Sequence, residues 1–327
     1  MWPKNATRNI TLYLKPKDNT VLLQPQVPCK DPLDILFVVP SSISNFKERQ
    51  AIRNTWGKWV YKTAPLVGPW ELGVFTRSNE EEIKAEDDKK WNMKLIFLLG
   101  VNSTQRVNKE ILQEQNLYGD IVVQDFIDVY VNLTLKSLFM LKWVKDYCPQ
   151  SKFIMKVDDD IFINVPNLHH SLKDKFDGPP LLLGCLICNA GPIHSQWSKW
   201  YVPSFMYDKE KYPNYLSGTA YVISQDIIEH LFMASLDIPY FHLEDVFTTG
   251  MCSRAIGIRP QDNIGFSYQK RAISPCLFRQ LVMGHDVSPA NMILLWNLLH
   301  QPKALSSCGH LKDREVRSFA APQCQWP

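Results

Sequence analysis

The chain has 327 residues, 36 basic against 33 acidic side chains for a formal net charge of +3, and an apolar share of 45%. That length holds one large domain or two small ones with a substantial buried core. The charges are spread without a basic stripe, which argues against nucleic acid as a partner, and no run approaches the roughly 20 apolar residues of a membrane span.

Residues 1–32 are rich in Pro, Asn, Lys and Thr without sustained periodicity, and are expected to form a stem or linker. The start, Met1-Trp2-Pro3-Lys4-Asn5, lacks a signal-peptide core. From Leu33 to Val39 the sequence reads as a buried strand, followed by a helix over Phe46–Trp56 with Ser44 or Asn45 as its cap. Strands are expected at Leu72–Thr76, Leu95–Leu99 and Ile121–Gln124, and helices at Val107–Leu117 and Leu133–Tyr147. Glu80–Glu82 and Glu86–Asp88 form acidic clusters expected on a solvated face. A strand over Ser151–Val157, a polar helix and the apolar run Leu181–Leu186 continue the series. This alternation predicts an α/β fold with a central, mostly parallel twisted sheet flanked by helices. In such sheets ligands gather at the carboxyl ends of the strands.

Eight cysteines scattered from position 29 to 324 suit long-range disulfides in an oxidising lumen, with no connectivity readable from spacing. Cys185 and Cys188 form a Cys-x-x-Cys without a second ligand pair for zinc, so disulfide partners or buried thiols are the expectation there. Four glycan acceptor triplets begin at Asn5, Asn9, Asn102 and Asn132. Together these marks favour a secretory-pathway protein, here as a luminal fragment.

The chemistry concentrates at Lys156-Val157-Asp158-Asp159-Asp160, placed at the end of an apolar strand. Three adjacent acids repel one another, so their placement calls for a cation or a hydrogen-bond cluster. Side chains two apart on a strand share a face, which would give a hard divalent metal two oxygen ligands from Asp158 and Asp160. A solvated acidic turn is the plainer alternative. Arg49, Arg53 and Trp56 fall near one helical face, where two guanidiniums and an indole could take a phosphate and stack on a base. In the segment Asp125 to Lys136, Asp128 or Asn132 could cap a helix while Lys136 faces an anion.

These segments resemble the β-1,3-galactosyltransferase family of Golgi glycosyltransferases. The resemblance rests on Arg-x-x-x-Arg-x-Thr-Trp-Gly at 49–57, Asp-Phe-x-Asp-x-Tyr-x-Asn-Leu-Thr-x-Lys at 125–136 and Lys-Val-Asp-Asp-Asp at 156–160. Tyr-Pro-Asn-Tyr-Leu-Ser-Gly at 212–218, Leu-Glu-Asp-Val-Phe at 243–247 and Gly-His-Asp-Val-Ser-Pro-Ala-Asn-Met at 284–292 follow in family order. The resemblance implies a GT-A-like nucleotide-sugar transferase, with a catalytic domain over 33–302 and a C-terminal tail over 303–327. It implies an inverting transfer of galactose from UDP-galactose to a glycan on a protein or lipid, with UDP-GlcNAc as the alternative donor. A glycan-binding luminal protein without turnover is the alternative outside catalysis.

The same resemblance implies Mn²⁺ held by Asp160 and His285, with Asp158 at the ribose, a metal-bound water or the metal itself. Asp159, Asp128, Lys136, Arg49, Arg53 and Trp56 would complete the donor side. Asp245 would be the base that deprotonates the acceptor hydroxyl, and Glu244 would orient it, accept a sugar hydrogen bond or cap the next helix. Lys199, Trp200, Tyr215 and Gly218 would shape the acceptor and sugar side, since aromatic faces suit sugar faces and glycine allows close approach. Leu216 stands where the family often has cysteine, and Ala220 replaces a frequent glycine near the expected sugar pocket. The location implied is the Golgi lumen, with a type II membrane anchor in the full-length form outside this chain.

Overall fold

A computed structural model of the chain describes residues 7–61, 91–102, 107–301, 308 and 324. The expected strand at 72–76 and the acidic clusters at 80–82 and 86–88 lie outside the described residues, as does the 303–327 tail apart from its two cysteines.

The large sheet contains eight strands: β1 (Val21–Leu23), β2 (Leu33–Pro40), β3 (Met93–Val101), β4 (Ile121–Ile127), β5 (Ser151–Val157), β7 (Leu182–Ile187), β8 (Tyr215–Ser224) and β9 (Gln261–Asp262). Their order is β1-β4-β3-β2-β5-β8-β7-β9. β4, β3, β2 and β5 run parallel, and β8 inserts antiparallel between β5 and β7. A short antiparallel pair joins β6 (Phe162–Ile163) to β10 (Met283–Gly284) and brings the C-terminal region beside the end of β5. The sheet is α/β and mostly parallel, as the alternation predicts.

The parallel strands are nearly continuous apolar runs because both faces are covered. Along β2, Ile35, Phe37 and Val39 enter one core with Trp56 and Phe162, while Leu36 and Val38 enter the other with Phe139 and Trp143. The helix Leu133–Tyr147 is buried along most of its length and crosses beneath the sheet, which explains its lack of a polar face. The helix Lys109–Tyr118 starts where Asn108 accepts a bond from the Ile111 amide and ends at Gly119, whose φ of 66° is the left-handed turn that glycine permits.

The N-terminal segment departs from its expected role as a stem. Ile10 and Leu14 are fully buried, β1 pairs with β4, and Cys29 is bonded to Cys148. A short apolar helix and three strand residues suffice to cover an otherwise open sheet edge. Further disulfides join Cys188 to Cys324 and Cys276 to Cys308, leaving Cys185 and Cys252 as buried thiols. The Cys-x-x-Cys is thus divided between a disulfide and a thiol. No helix among the described residues is long and apolar enough to cross a membrane.

Candidate active site

β5 delivers the chain at Val157 to a turn formed by the three aspartates. The turn is tied from both sides: the Asp158 amide donates to the Thr219 carbonyl at 3.0 Å, and the Val287 amide donates to the Asp160 carbonyl at 2.9 Å. Because the acids lie beyond the strand, the two-residue alternation no longer governs them, and each carboxylate takes its own partner. Asp158 Oδ1 accepts from Lys156 Nζ at 2.6 Å, and Asp159 Oδ2 accepts from Ser41 Oγ at 2.7 Å and Asn45 Nδ2 at 3.0 Å. Asp160 Oδ2 lies 3.6 Å from His285 Nε2.

The Asp160–His285 pair has spare capacity. Asp160 Oδ1 and His285 Nδ1 are buried atoms without a hydrogen-bond partner among the described residues. Burial and then the Asp158 charge push the Asp160 carboxyl up to about 6, against the pull of His285. Among the described residues no three His, Cys, Asp or Glu side chains converge as a metal cage. Two partly exposed side chains, one with an orphaned carboxylate oxygen, suit a hard cation that would take its remaining ligands from phosphate and water.

Glu244 and Asp245 sit where the chain enters a π-helical turn, Val246–Cys252. Asp245 Oδ1 accepts from the Val246 amide at 2.8 Å, and Oδ2 from the Gly218 amide on β8 at 3.3 Å. The carboxyl lies deep in the site yet keeps an open face, and burial followed by the Glu244 charge pushes it up to about 6. Glu244 is more enclosed: Tyr221 Oη donates to its Oε1 at 2.6 Å, and Lys156 Nζ lies 3.8 Å from its Oε2. Gly218 makes this approach possible, because a Cβ there would stand 3.3 Å from both Asp245 Cβ and Glu244 Oε2.

Lys156, which the sequence offered only as a motif letter, joins the two acidic elements. Its buried ammonium serves Asp158, the Gly218 carbonyl and Glu244, under the Tyr221 ring at 5.8 Å. The β5–β8 register places Lys156 directly opposite Tyr221, so sheet pairing itself aligns the network. Tyr130 was also missed, though it lies within the 125–136 motif. It is half exposed, and burial and then the Asp245 and Asp158 charges raise its phenol pKa. Trp200 is half exposed and lies under Lys199 Nζ at 4.6 Å. Tyr215 opens β8, and burial and then Asp245 push its phenol pKa up, so its neighbourhood also reaches the site.

Several expected donor residues face inward instead. Trp56 is fully buried and donates from Nε1 to the Ile161 carbonyl at 3.0 Å, so no base can stack on it. Arg49 pairs with Glu114 at 2.7 Å; Arg53 pairs with Asp120 at 2.7 Å and Glu114 at 2.8 Å, and stacks over Tyr118. Both guanidiniums are buried and committed to carboxylates rather than phosphate. Lys136 binds Asp128 at 2.7 Å, so these two satisfy each other. Asp159 likewise turns from the site toward Ser41 and Asn45. Ala220 is buried opposite Val157 in the core rather than at a sugar pocket, and Leu216 packs opposite Leu186.

A cavity of about 750 Å³ opens at the carboxyl ends of β2 and β3, lined by Ser42, Phe46, Arg49, Asn102, Glu110 and Tyr118 among others. A mostly parallel sheet that brings the Asp160–His285 pair beyond β5 together with a carboxylate held by a β8 amide suits a glycosyltransferase, and likeness to known proteins bears out that class. The galactosyltransferase family model matches residues 47–264. Mouse beta-1,3-galactosyltransferase 1 is 36% identical over 273 residues, covering 83% of this chain and 75% of the relative. Human beta-1,3-galactosyltransferase 5 is 35% identical over 295 residues, covering 89% and 86%. The chain belongs to the galactosyltransferase family.

Proposed function

We propose that the chain transfers galactose from UDP-galactose to a glycan hydroxyl on a glycoprotein or glycolipid, in a β-1,3 linkage, with inversion at the anomeric carbon and with Mn²⁺. The observation that carries the reading is the meeting of the acidic turn and the Glu244–Asp245 pair across one strand pair, β5 and β8, where Lys156 joins Asp158 to Glu244 and the Gly218 amide holds Asp245. Beta-1,3-galactosyltransferases 1 and 5, by their names, support galactose and the β-1,3 linkage. The three disulfides suit an oxidising compartment such as the Golgi lumen.

Asp160 and His285 would hold the cation, which when bound supplies Lewis-acid stabilisation of the departing diphosphate. Asp245 accepts the acceptor proton as the hydroxyl oxygen attacks the anomeric carbon and the carbon–phosphate oxygen bond breaks on the opposite face. A single displacement of that kind inverts the centre. The raised proton affinity of Asp245 suits a base that must take a proton in the transition state yet be largely ionised near neutrality. Glu244, held by Tyr221 and Lys156, orients Asp245 by its charge and packing. Trp200, Lys199 and Tyr130 offer the acceptor an aromatic wall with polar edges.

The test is transfer from a panel of UDP-sugars to β-GlcNAc and β-Gal acceptors, with Mn²⁺ and with excess chelator, and the product linkage read by NMR. Transfer from UDP-galactose to a β-1,3 product, lost on chelation, is expected. Transfer confined to UDP-GlcNAc, or undiminished by chelator, would overturn the donor or the metal assignment respectively.

A further inference from the structure

Asp159 shares the acidic turn but not its direction. Its Oδ2 accepts two bonds from the loop after β2, from Ser41 Oγ at 2.7 Å and Asn45 Nδ2 at 3.0 Å. Ser41 is buried, and each of its polar groups is engaged. Its amide donates to the Leu98 carbonyl at 3.0 Å, its carbonyl accepts from Lys136 Nζ at 2.7 Å, and its hydroxyl accepts from Arg49 Nη1 at 3.2 Å. Arg49 is fixed in turn by Glu114, through Nε at 2.8 Å and Nη2 at 2.7 Å, and Lys136 is fixed by Asp128. Two buried cations, on helices Phe46–Asn54 and Leu133–Tyr147, therefore meet at one serine, which grips the middle acid of the turn.

We propose that Ser41 is a positioning residue for the donor: it draws Asp159 out of the site and sets the turn, and Arg49 and Lys136 act on the donor through it. Three neighbouring carboxylates left to repel one another would splay the turn. With Asp159 drawn to Ser41 and Asn45, and Asp158 drawn to Lys156, Asp160 is left facing His285. The proposal deepens the donor-site reading and rests on it. It also explains why two basic motif residues are buried: they rigidify the loop that holds the turn rather than touching phosphate.

The experiment is calorimetric titration of UDP with Mn²⁺ into wild type, Ser41→Ala, Asp159→Asn and the double variant, alongside the KM for each substrate and thermal midpoints. Losing a charge-assisted bond should weaken UDP binding on the order of tenfold in each single variant. The double variant should be no weaker than the weaker single one, because both changes cut the same link. Acceptor KM should stay within about twofold, a split that general loosening of the fold would not produce. Additive losses, unchanged UDP affinity, or a parallel rise in acceptor KM would overturn the proposal. If Ser41→Ala does not fold, Asn45→Ala removes the other half of the tether, and an unchanged UDP affinity there overturns it as well. Wild type that binds no UDP would instead overturn the donor-site reading itself.

Discussion

Lys156→Met separates the bridging role of this ammonium from the length of the side chain. Methionine fills a similar volume but leaves Asp158 Oδ1, the Gly218 carbonyl and Glu244 Oε2 without their cation. Burial favours loss of the Lys156 proton, yet Asp158 and Glu244 outweigh it and hold the pKa above the ordinary lysine range. Removing one partner from a buried charge cluster costs about 3–5 kcal/mol. At roughly 2–4 °C per kcal/mol for a large domain, the thermal midpoint should fall by about 6–20 °C. A lysine with a raised folded-state pKa gives its stabilisation in full below the unfolded value of about 10.4 and loses it above, so the deficit should be constant from about pH 6 to 9. Asp245 also loses a charge that lowers its pKa, so the acid limb of the variant's pH–rate profile should move to higher pH. Differential scanning fluorimetry and pH–rate profiles read both effects. A midpoint within about 2 °C of wild type and an unmoved acid limb would refute the bridge.

In the wild type, activity should fall as pH drops through about 6, because Asp245 must be ionised to accept a proton. At one pH unit below that value about a tenth of the base remains, and a flat kcat between pH 5 and 7 would contradict the assignment. Arg53→Met should destabilise the fold by about 3–5 kcal/mol, since it strands Asp120 and part of Glu114 inside the protein. UDP affinity of its folded fraction should stay within about twofold, and a selective loss measured by calorimetry would mean that Arg53 reaches the donor after all.

Elements whose signal is local were legible in the sequence. Ser151–Val157 and Leu133–Tyr147 form as read, because a run covered on both faces announces itself through continuous apolarity. The Arg49, Arg53 and Trp56 face was misread because its meaning depends on partners far along the chain. Glu114 and Asp120 are 65 and 67 residues from the arginines they hold, and a helical face taken alone looks like an anion site. Asn45 shows the same limit: it occupies the expected N-cap, but its side chain leaves the helix to bind Asp159. Lys156 was invisible as a bridge because β8 inserts antiparallel beside β5, a pairing that no local pattern specifies. The N-terminal residues were taken for a stem because their buried contacts are few and depend on the sheet edge they cover.

The most direct measurement is transfer by Asp245→Asn beside its UDP affinity with Mn²⁺. Asparagine keeps the shape of the side chain but cannot accept the acceptor proton, so turnover should fall by about 10²-fold or more while UDP binding stays within about twofold. Turnover within a few-fold of wild type would show that another group takes the proton and that Asp245 is not a base opposed to a donor-holding turn.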